Sequence, residues 1–177
     1  MSYPGSKGFT AMELMITMTV SVILLATAVP SFKDYSWNLK MRTAMDQLQT
    51  DMTLARGYAI SHNAQTVICP AANADSCSGE SDWQAGWLVF VDINGDHEKQ
   101  QGEPVLKSLN AIENLKINSS RSRTYIRFLS NGTSPGSNIS IHFCDKRGAE
   151  KSGIVTVSNT GRIRQQANTG KSTRICP

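Results

Sequence analysis

The sequence predicts an α+β fold in which one long N-terminal helix packs against an antiparallel β-sheet. No charged residue occurs between Leu14 and Phe32, and a helical apolar pattern continues beyond that stretch to about residue 62. From Asn63 onwards, short segments of alternating apolar and polar residues are separated by turn residues, which indicates a series of short strands. One helix followed by several strands is typical of the α+β class.

The first half of this helix has the length and composition of a membrane span. The 19 uncharged residues from Leu14 to Phe32 would extend about 28 Å as a helix, close to the thickness of a bilayer's hydrocarbon core. Glu13 stands at the N-terminal end of this run, where a carboxylate is costly to place in lipid and usually has a function. We therefore expect residues 9–32 to form a transmembrane helix, which Pro30 kinks rather than ends.

Residues 33–62 are expected to continue the helix as an amphipathic segment. Apolar residues recur there at alternating spacings of four and three, which places them on one helix face: Met41, Met45, Leu48, Met52, Ala55 and Ala59. We interpret this stripe as a packing face for the following domain rather than as a cofactor site.

Residues 63–177 are expected to form one β-rich domain, because this length is sufficient for a single core. The strongest predicted strand covers Gly86 to Asp92, and Asn94-Gly95 forms the turn that follows it. The other predicted strands cover residues 66–69, 104–109, 114–117, 125–129, 139–144, 154–157 and 162–164. The large aromatic residues Trp83, Trp87 and Phe90 are assigned to the core that covers the helix.

The four cysteines are expected to form two disulfides. All of them follow the membrane helix, so export would place them in an oxidising compartment, the periplasm of a Gram-negative bacterium. Four cysteines allow three pairings. Of these we favour Cys69–Cys77, which closes a small loop, and Cys144–Cys176, which ties the C-terminal tail to a strand. No Cys-x-x-Cys pair is present, so the sequence supports neither a zinc ribbon nor thioredoxin chemistry.

The N-terminal residues resemble the class III signal of type IV pilins and type II secretion pseudopilins. The matching residues are Lys7-Gly8-Phe9-Thr10, Glu13 and Pro30. The resemblance implies that a prepilin peptidase cleaves after Gly8, removes the leader of residues 1–8 and methylates Phe9. It also implies that Glu13 neutralises the N-terminal amine of a neighbouring subunit in a filament. The alternative left open is a single-pass anchor whose Glu13 reaches up to the lipid headgroups.

A second resemblance covers nearly the whole chain. The residues that carry it are Cys69, Cys77, Trp83-x-x-Gly86-Trp87-Leu88-Val89-Phe90-x-Asp92-x-Asn94-Gly95-Asp96 and Ser158-x-Thr160-Gly161-Arg162-Ile163-Arg164. They are similar to the GspH/FimT family of minor pseudopilins and minor type IV pilins, which implies a type IV pilin-like fold and other pilins as partners. The Gly-Arg-x-Arg segment with its basic tail is similar to the FimT branch, and this implies DNA binding during natural transformation.

The positive charge of the chain is concentrated in the half that contains this C-terminal segment. Residues 1–103 contain 6 Lys/Arg and 11 Asp/Glu, a net charge of −5, whereas residues 104–177 contain 12 and 3, a net charge of +9. Because side chains alternate along a strand, Arg162 and Arg164 would share one face about 7 Å apart, which suits successive phosphates. Such contacts bind duplex DNA without sequence preference and weaken with salt. Lys171 and Arg174 in the following tail are expected to bind DNA together with these two arginines, with Lys146 or Arg147 in support.

We expect neither an enzymatic site nor a metal or cofactor site. The three histidines, His62, His97 and His142, are scattered along the sequence, and no nucleophile motif accompanies them. The segment Asp92-x-Asn94-x-Asp96 with Glu103 partly resembles a calcium loop. Its sixth position, however, is His97 rather than glycine, so a polar hairpin turn is the simpler interpretation.

The sequence as a whole predicts a minor type IV pilin that is anchored in the inner membrane and binds double-stranded DNA. One alternative is a structural minor pilin or pseudopilin that primes filament assembly without binding nucleic acid. Another is a basic surface that adheres to anionic lipopolysaccharide or lipid. A second basic run, Arg121, Arg123 and Arg127, either contributes to the same positive field or forms a solvated face.

Overall fold

The computed structural model describes residues 8–120, 123–167 and Cys176, and of Pro30 the backbone alone. The helix α1 spans Ala11–His62. Nine strands are described after it: β1 (Gln65–Asn73), β2 (Ser76–Cys77), β3 (Trp87–Asp92), β4 (Val105–Leu109), β5 (Lys116–Asn118), β6 (Ile126–Phe128), β7 (Ile139–Cys144), β8 (Gly153–Val157) and β9 (Ile163–Ala167). A 3-10 turn, Ala149–Lys151, precedes β8.

The helix α1 belongs to two compact units, of which the first ends at Leu39 and the second begins at Lys40. In the first unit α1 continues through residue 30 without ending. Its large apolar side chains are exposed, among them Leu14, Ile23 and Phe32. By length and composition alone, α1 contains a segment that is long and apolar enough to cross a membrane.

In the second unit, the apolar stripe of α1 forms one side of the main core. All six stripe residues are buried, and Met45, Leu48 and Met52 are completely inaccessible. The same cluster contains residues from both β-sheets, for example Val89 of β3 and Phe143 of β7. The predicted packing face is therefore confirmed.

The first sheet contains five strands in the order β2-β1-β3-β4, with β6 paired to β1, and all pairs are antiparallel. Every residue of β3 is buried, so this strand is covered on both faces. Trp87 and Val89 pack in the cluster that contains α1. Phe90 packs instead with Val67 and Leu88 in a second cluster. The assignment of Phe90 to the core that covers the helix is therefore wrong, because alternation along β3 turns Phe90 to the opposite face.

The second sheet contains four antiparallel strands in the order β5-β7-β8-β9. The predicted α+β class with one helix on antiparallel strands is confirmed, but the strands form two sheets rather than one. The short strand β2 and the 3-10 turn were not predicted. The strand β2 pairs with the end of β1 beside the Cys69–Cys77 disulfide. The 3-10 turn begins at Gly148, which has a φ of 87°.

A buried carboxylate joins α1 to the first sheet. Asp51 is only 2% exposed, and its Oδ2 accepts a 2.8 Å hydrogen bond from the indole Nε1 of Trp87. Gln47, one turn earlier in α1, donates from Nε2 to both carboxylate oxygens. A buried polar group is tolerated only when hydrogen-bonded, so these donors make Asp51 compatible with the core.

Candidate nucleic-acid interface

The Gly-Arg-Ile-Arg segment begins at a tight hairpin between β8 and β9. The Ser158 N–H donates to the Arg162 carbonyl at 3.1 Å, and the Gly161 N–H donates to the Ser158 carbonyl at 2.8 Å. Gly161 has a φ of 75°, which a residue with a side chain rarely adopts. These bonds confirm the hairpin predicted after the strand at residues 154–157. The last residue of its turn, Gly161, is followed directly by Arg162.

The tip of this hairpin is packed tightly against the loop that follows β6. A Cβ atom on Gly161 would lie 2.0 Å from the carbonyl oxygen of Gly132. The same carbonyl accepts a 2.8 Å hydrogen bond from the Nε of Arg56 in α1. In addition, the Ser134 N–H donates to the Asn159 carbonyl at 2.9 Å. The hairpin is therefore fixed both to a neighbouring loop and, through Arg56, to the helix.

Arg162 and Arg164 project away from the core. Both are exposed, whereas Ile163 between them is half-buried and packs against the main core cluster. Because alternate residues share a face, the two guanidinium groups lie on the outer side of the second sheet. Among the described residues, no carboxylate forms an ion pair with either arginine. These two charges are consequently available to an anionic ligand.

The outer face of the second sheet includes two rows of residues aligned across the strands. Arg164 is opposite Thr156, which is opposite Ser140. The next row contains Gln166, Ile154, His142 and Asn118. The first row lacks acidic residues, whereas an isolated bridge places the exposed Asp82 opposite Asn118 at the end of the second row. Partial burial lowers the pKa of His142 below its usual value, because burial disfavours the charged imidazolium.

A disulfide places Cys176 on this outer face. Cys144 is paired with Cys176 with an S–S distance of 1.84 Å, and it follows His142 by two residues on β7. Both cysteines are buried, at 2% and 3% exposure. The other disulfide joins Cys69 to Cys77, so the structure has the two pairings favoured from the sequence. Lys171 and Arg174 precede Cys176 and lie outside the described residues.

The two supporting cations after β7 differ in their surroundings. Lys146 is exposed. Arg147 is half-buried, and its Nη2 lies 2.7 Å from Oδ2 of the buried carboxylate of Asp145. Its Nε donates to both oxygens of the same carboxylate. Since this bidentate pair already neutralises the guanidinium, Arg147 is less suited than Arg162 or Arg164 to bind a phosphate.

Arg123 and Arg127 of the second basic run support a loop rather than forming a solvated face. Arg127 donates from Nε to the Pro135 carbonyl at 3.1 Å, and its Nη1 lies 2.9 Å from Nε2 of His97. Arg123 donates from Nη1 to the Gly136 carbonyl. These arginines hold the loop that contacts the β8–β9 hairpin. Arg121 lies outside the described residues.

The acidic loop that follows β3 uses its carboxylates internally. Asp92 accepts hydrogen bonds from the backbone N–H groups of Gly95 and His97. Glu103 accepts from the N–H groups of Ile93 and Gln100. The exposed carboxylate of Asp96 accepts a hydrogen bond from the Glu98 N–H, which lowers the pKa of Asp96 below its usual value. Across the residues that the structure describes, no three His, Cys, Asp or Glu side chains are grouped to hold a metal ion.

The residues implied in processing and assembly lie at the start of α1. Gly8 and Phe9 precede the helix, and Phe9 is 81% exposed. The Glu13 N–H donates to Oγ1 of Thr10, while the Thr10 N–H donates to Oε2 of Glu13 at 3.0 Å. This reciprocal arrangement is a capping box that closes the first turn of α1. Lys7 lies outside the described residues.

Arg56 and Gly132 were not identified from the sequence, although both determine where the hairpin lies. Asn131-Gly132 is a turn dipeptide, and such a dipeptide indicates a turn but not its tertiary contact. Arg56 directly follows the stripe residue Ala55 and resembles any polar residue at the edge of an amphipathic helix. Sequence spacing carries no signal for a contact between residues 56 and 132.

The long N-terminal helix packs on antiparallel sheets and has an exposed apolar first half. This architecture defines a pilin-like protein, and comparison with known protein families agrees with it. A family model described as type II transport protein GspH matches residues 44–161. The chain belongs to this family of minor pilins and pseudopilins, which is structural rather than enzymatic.

Several relatives share sequence with the chain, and several solved structures share its fold. A fimbrial protein of Dichelobacter nodosus is 33% identical over 104 residues, which are 55% of this chain and 61% of that protein. The chain thus matches about three fifths of that relative's length. The crystal structure of the Pseudomonas aeruginosa type IV minor pilin FimU has a TM-score of 0.56 at 18% identity, covering 77% of this chain and 96% of FimU. The minor pseudopilin EpsH of the Vibrio cholerae type II secretion system has a TM-score of 0.51 at 12% identity, covering 73% of this chain and 98% of EpsH.

Proposed function

We propose that this chain is a minor type IV pilin that binds double-stranded DNA through the outer face of its second sheet and promotes DNA uptake. The observation that carries the proposal is the rigid β8–β9 hairpin, which presents two exposed arginines without paired carboxylates. Guanidinium groups about 7 Å apart suit successive phosphates of one strand. The contact would be to the backbone alone, so binding would ignore sequence.

Two further features support this surface. The row of Arg164, Thr156 and Ser140 contains no carboxylate that would repel a phosphate. The Cys144–Cys176 disulfide fixes Cys176 to the same face, and Lys171 and Arg174 lie within five residues of Cys176 in the sequence. Lys146, which follows the cysteine-bearing strand β7, would add charge at its edge. Arg147 would contribute less because it is paired with Asp145.

In this function residues 9–32 would anchor the protein in the inner membrane, with the domain in the periplasm before incorporation into a pilus. Prepilin peptidase would cleave after Gly8 and methylate Phe9. In the filament, Glu13 would exchange its capping interaction with Thr10 for the N-terminal amine of an adjacent pilin, since a carboxylate in an apolar environment needs a partner.

Binding of a short fluorescent duplex by the full chain in neutral detergent tests the proposal. Fluorescence anisotropy at several salt concentrations should show binding that weakens with salt and is equal for unrelated sequences. In the Arg162→Gln/Arg164→Gln variant, the magnitude of the slope of log affinity against log salt should decrease by about 1.8, because two phosphate contacts are removed. An unchanged slope in a folded variant would refute the assignment of this site.

The second candidate is a structural minor pilin or pseudopilin, favoured by the likeness in fold to EpsH. On that account the arginines protect the edge strand β9 from pairing with other chains. Absence of duplex binding at low salt, with pilus assembly dependent on the protein, would establish this alternative. A preference for lipopolysaccharide over duplex in a competition titration would instead indicate adhesion to anionic surfaces.

A further inference from the structure

We propose that Arg56 of α1 is a third cation of the nucleic-acid surface and binds a phosphate beside Arg162. The inference rests on the proposed function, since it concerns the same ligand and the same hairpin. It adds a residue from the helix to a site proposed on the β8–β9 hairpin and β9.

The position of Arg56 follows from two contacts. Its Nε donates to the Gly132 carbonyl at 2.8 Å, and a Cβ atom on Gly161 would lie 3.1 Å from the same nitrogen. The guanidinium group therefore lies directly beside the hairpin tip. Gly161 precedes Arg162, and its missing side chain allows Arg56 to approach the backbone of the hairpin tip.

The remaining donors of Arg56 have no acceptor within the described part of the chain. A guanidinium group carries five N–H donors, and the contact with Gly132 uses one of them. No carboxylate of residues 8–120 or 123–167 forms an ion pair with it. The side chain is half-buried, so its positive charge is only partly screened by water. A fixed guanidinium with unused donors is well suited to bind an oxygen of a phosphate diester.

The anchor at Gly132 also distinguishes Arg56 from Arg162 and Arg164, whose guanidinium groups form no hydrogen bond with the described residues. One N–H bond orients the planar group, which reduces the conformational entropy lost when a phosphate binds. Two hydroxyl groups of the hairpin, those of Ser158 and Thr160, lie 2.8 Å apart beside the same glycine. One of these hydroxyl groups donates to the other, so the second can offer a neutral donor to the same phosphate.

The test measures duplex affinity against salt for the full chain in neutral detergent, with three single variants. Arg56→Gln removes the charge, and Arg56→Lys keeps the charge but lacks the Nε–H that anchors it. Lys107→Gln removes an exposed cation from β4, the edge strand of the other sheet, and is the control for a general change in net charge. Circular dichroism and the melting temperature establish that each variant is folded.

A phosphate contact at Arg56 predicts that Arg56→Gln lowers the slope of log affinity against log salt by about 0.9. At 0.1 M salt the affinity should fall about eightfold, because this slope corresponds to one neutralised phosphate. Arg56→Lys should retain the wild-type slope, and Lys107→Gln should leave both quantities unchanged.

Three outcomes would overturn the inference, and they differ in what they leave standing. An unchanged slope in Arg56→Gln, with duplex binding still lost in Arg162→Gln/Arg164→Gln, removes Arg56 from the site but leaves the proposed function intact. Equal loss in Arg56→Gln and Arg56→Lys with no change in slope would assign Arg56 a purely structural role. Failure of the wild-type chain to bind duplex would refute the proposed function and the inference together.

Discussion

Gly161 lies so close to the carbonyl oxygen of Gly132 that a Cβ atom on Gly161 would be 2.0 Å from it. This contact determines how the β8–β9 hairpin sits on the neighbouring loop. The hairpin in turn determines the direction of Arg162 and Arg164. A glycine that appears in sequence as an ordinary turn residue is therefore the point at which the candidate site is attached to the rest of the domain.

Gly161→Ala is expected to lower the free energy of unfolding by more than about 2 kcal/mol. The added methyl group meets a backbone oxygen, and alanine is strained at a φ of 75°. Urea denaturation measures the loss. Gly136→Ala is the matched control, because Gly136 has a φ of 76° but open space around its Cβ position. Gly136→Ala should lower the free energy of unfolding by the backbone strain alone, about 1 kcal/mol. Equal losses in both variants would contradict the tight contact.

Removal of the Cys144–Cys176 disulfide is expected to destabilise the domain more than removal of Cys69–Cys77. The two bonds join residues separated by 32 and 8 positions. Chain entropy then gives about 3.7 and about 2.6 kcal/mol for the two losses. Denaturation of the two Cys→Ala pair variants measures the difference, and the opposite order would show that local packing outweighs chain entropy.

Trp87→Phe is expected to destabilise the domain by about 1 kcal/mol more than Trp83→Phe. Both tryptophans are fully buried, but the indole of Trp87 donates to the carboxylate of Asp51, whereas that of Trp83 donates to the hydroxyl of Ser119. A lost hydrogen bond to a charged group costs more than one to a neutral group. Urea midpoints of the two variants provide the comparison. Equal losses would show that Asp51 gains nothing from its contact with Trp87.

The stability of the domain should fall as the pH decreases below 6.5, in part because of His142. Partial burial holds the pKa of His142 below its unfolded value of 6.5. The unfolded chain therefore binds a proton that the folded chain resists, so the contribution is complete above pH 6.5 and is lost as the pH falls through the folded pKa. Urea midpoints at pH 7.5 and 5.5 should differ less in His142→Gln than in the wild type. An identical difference would exclude His142 as a cause.

Much of the fold was predictable because local patterns and tertiary packing agree. The stripe from Met41 to Ala59 specifies which face of α1 is buried, and alternation together with turn residues located most of the strands. The division into two sheets was not predictable, because it depends on β6 pairing with β1 rather than with β7. The sequence pattern of a strand specifies its buried face but not its neighbour.

The candidate site was predictable only in part, for a similar reason. Alternation correctly placed Arg162 and Arg164 on one exposed face. It gave no indication that Arg147 is neutralised by Asp145 or that Arg56 reaches Gly132. Basic composition identifies a charged half of the chain, but only tertiary contacts distinguish paired arginines from available ones.

The central claim is that duplex DNA binds to the outer face of the second sheet, and mapping by NMR tests it most directly. The uniformly ¹⁵N-labelled full chain in neutral detergent would be titrated with a short duplex while amide signals are followed. The account predicts shifts concentrated in the β8–β9 hairpin, in β9 and at His142, with the loop from Asp92 to Glu103 unaffected. Shifts confined to that acidic loop or to β4, or no shifts at low salt, would contradict it.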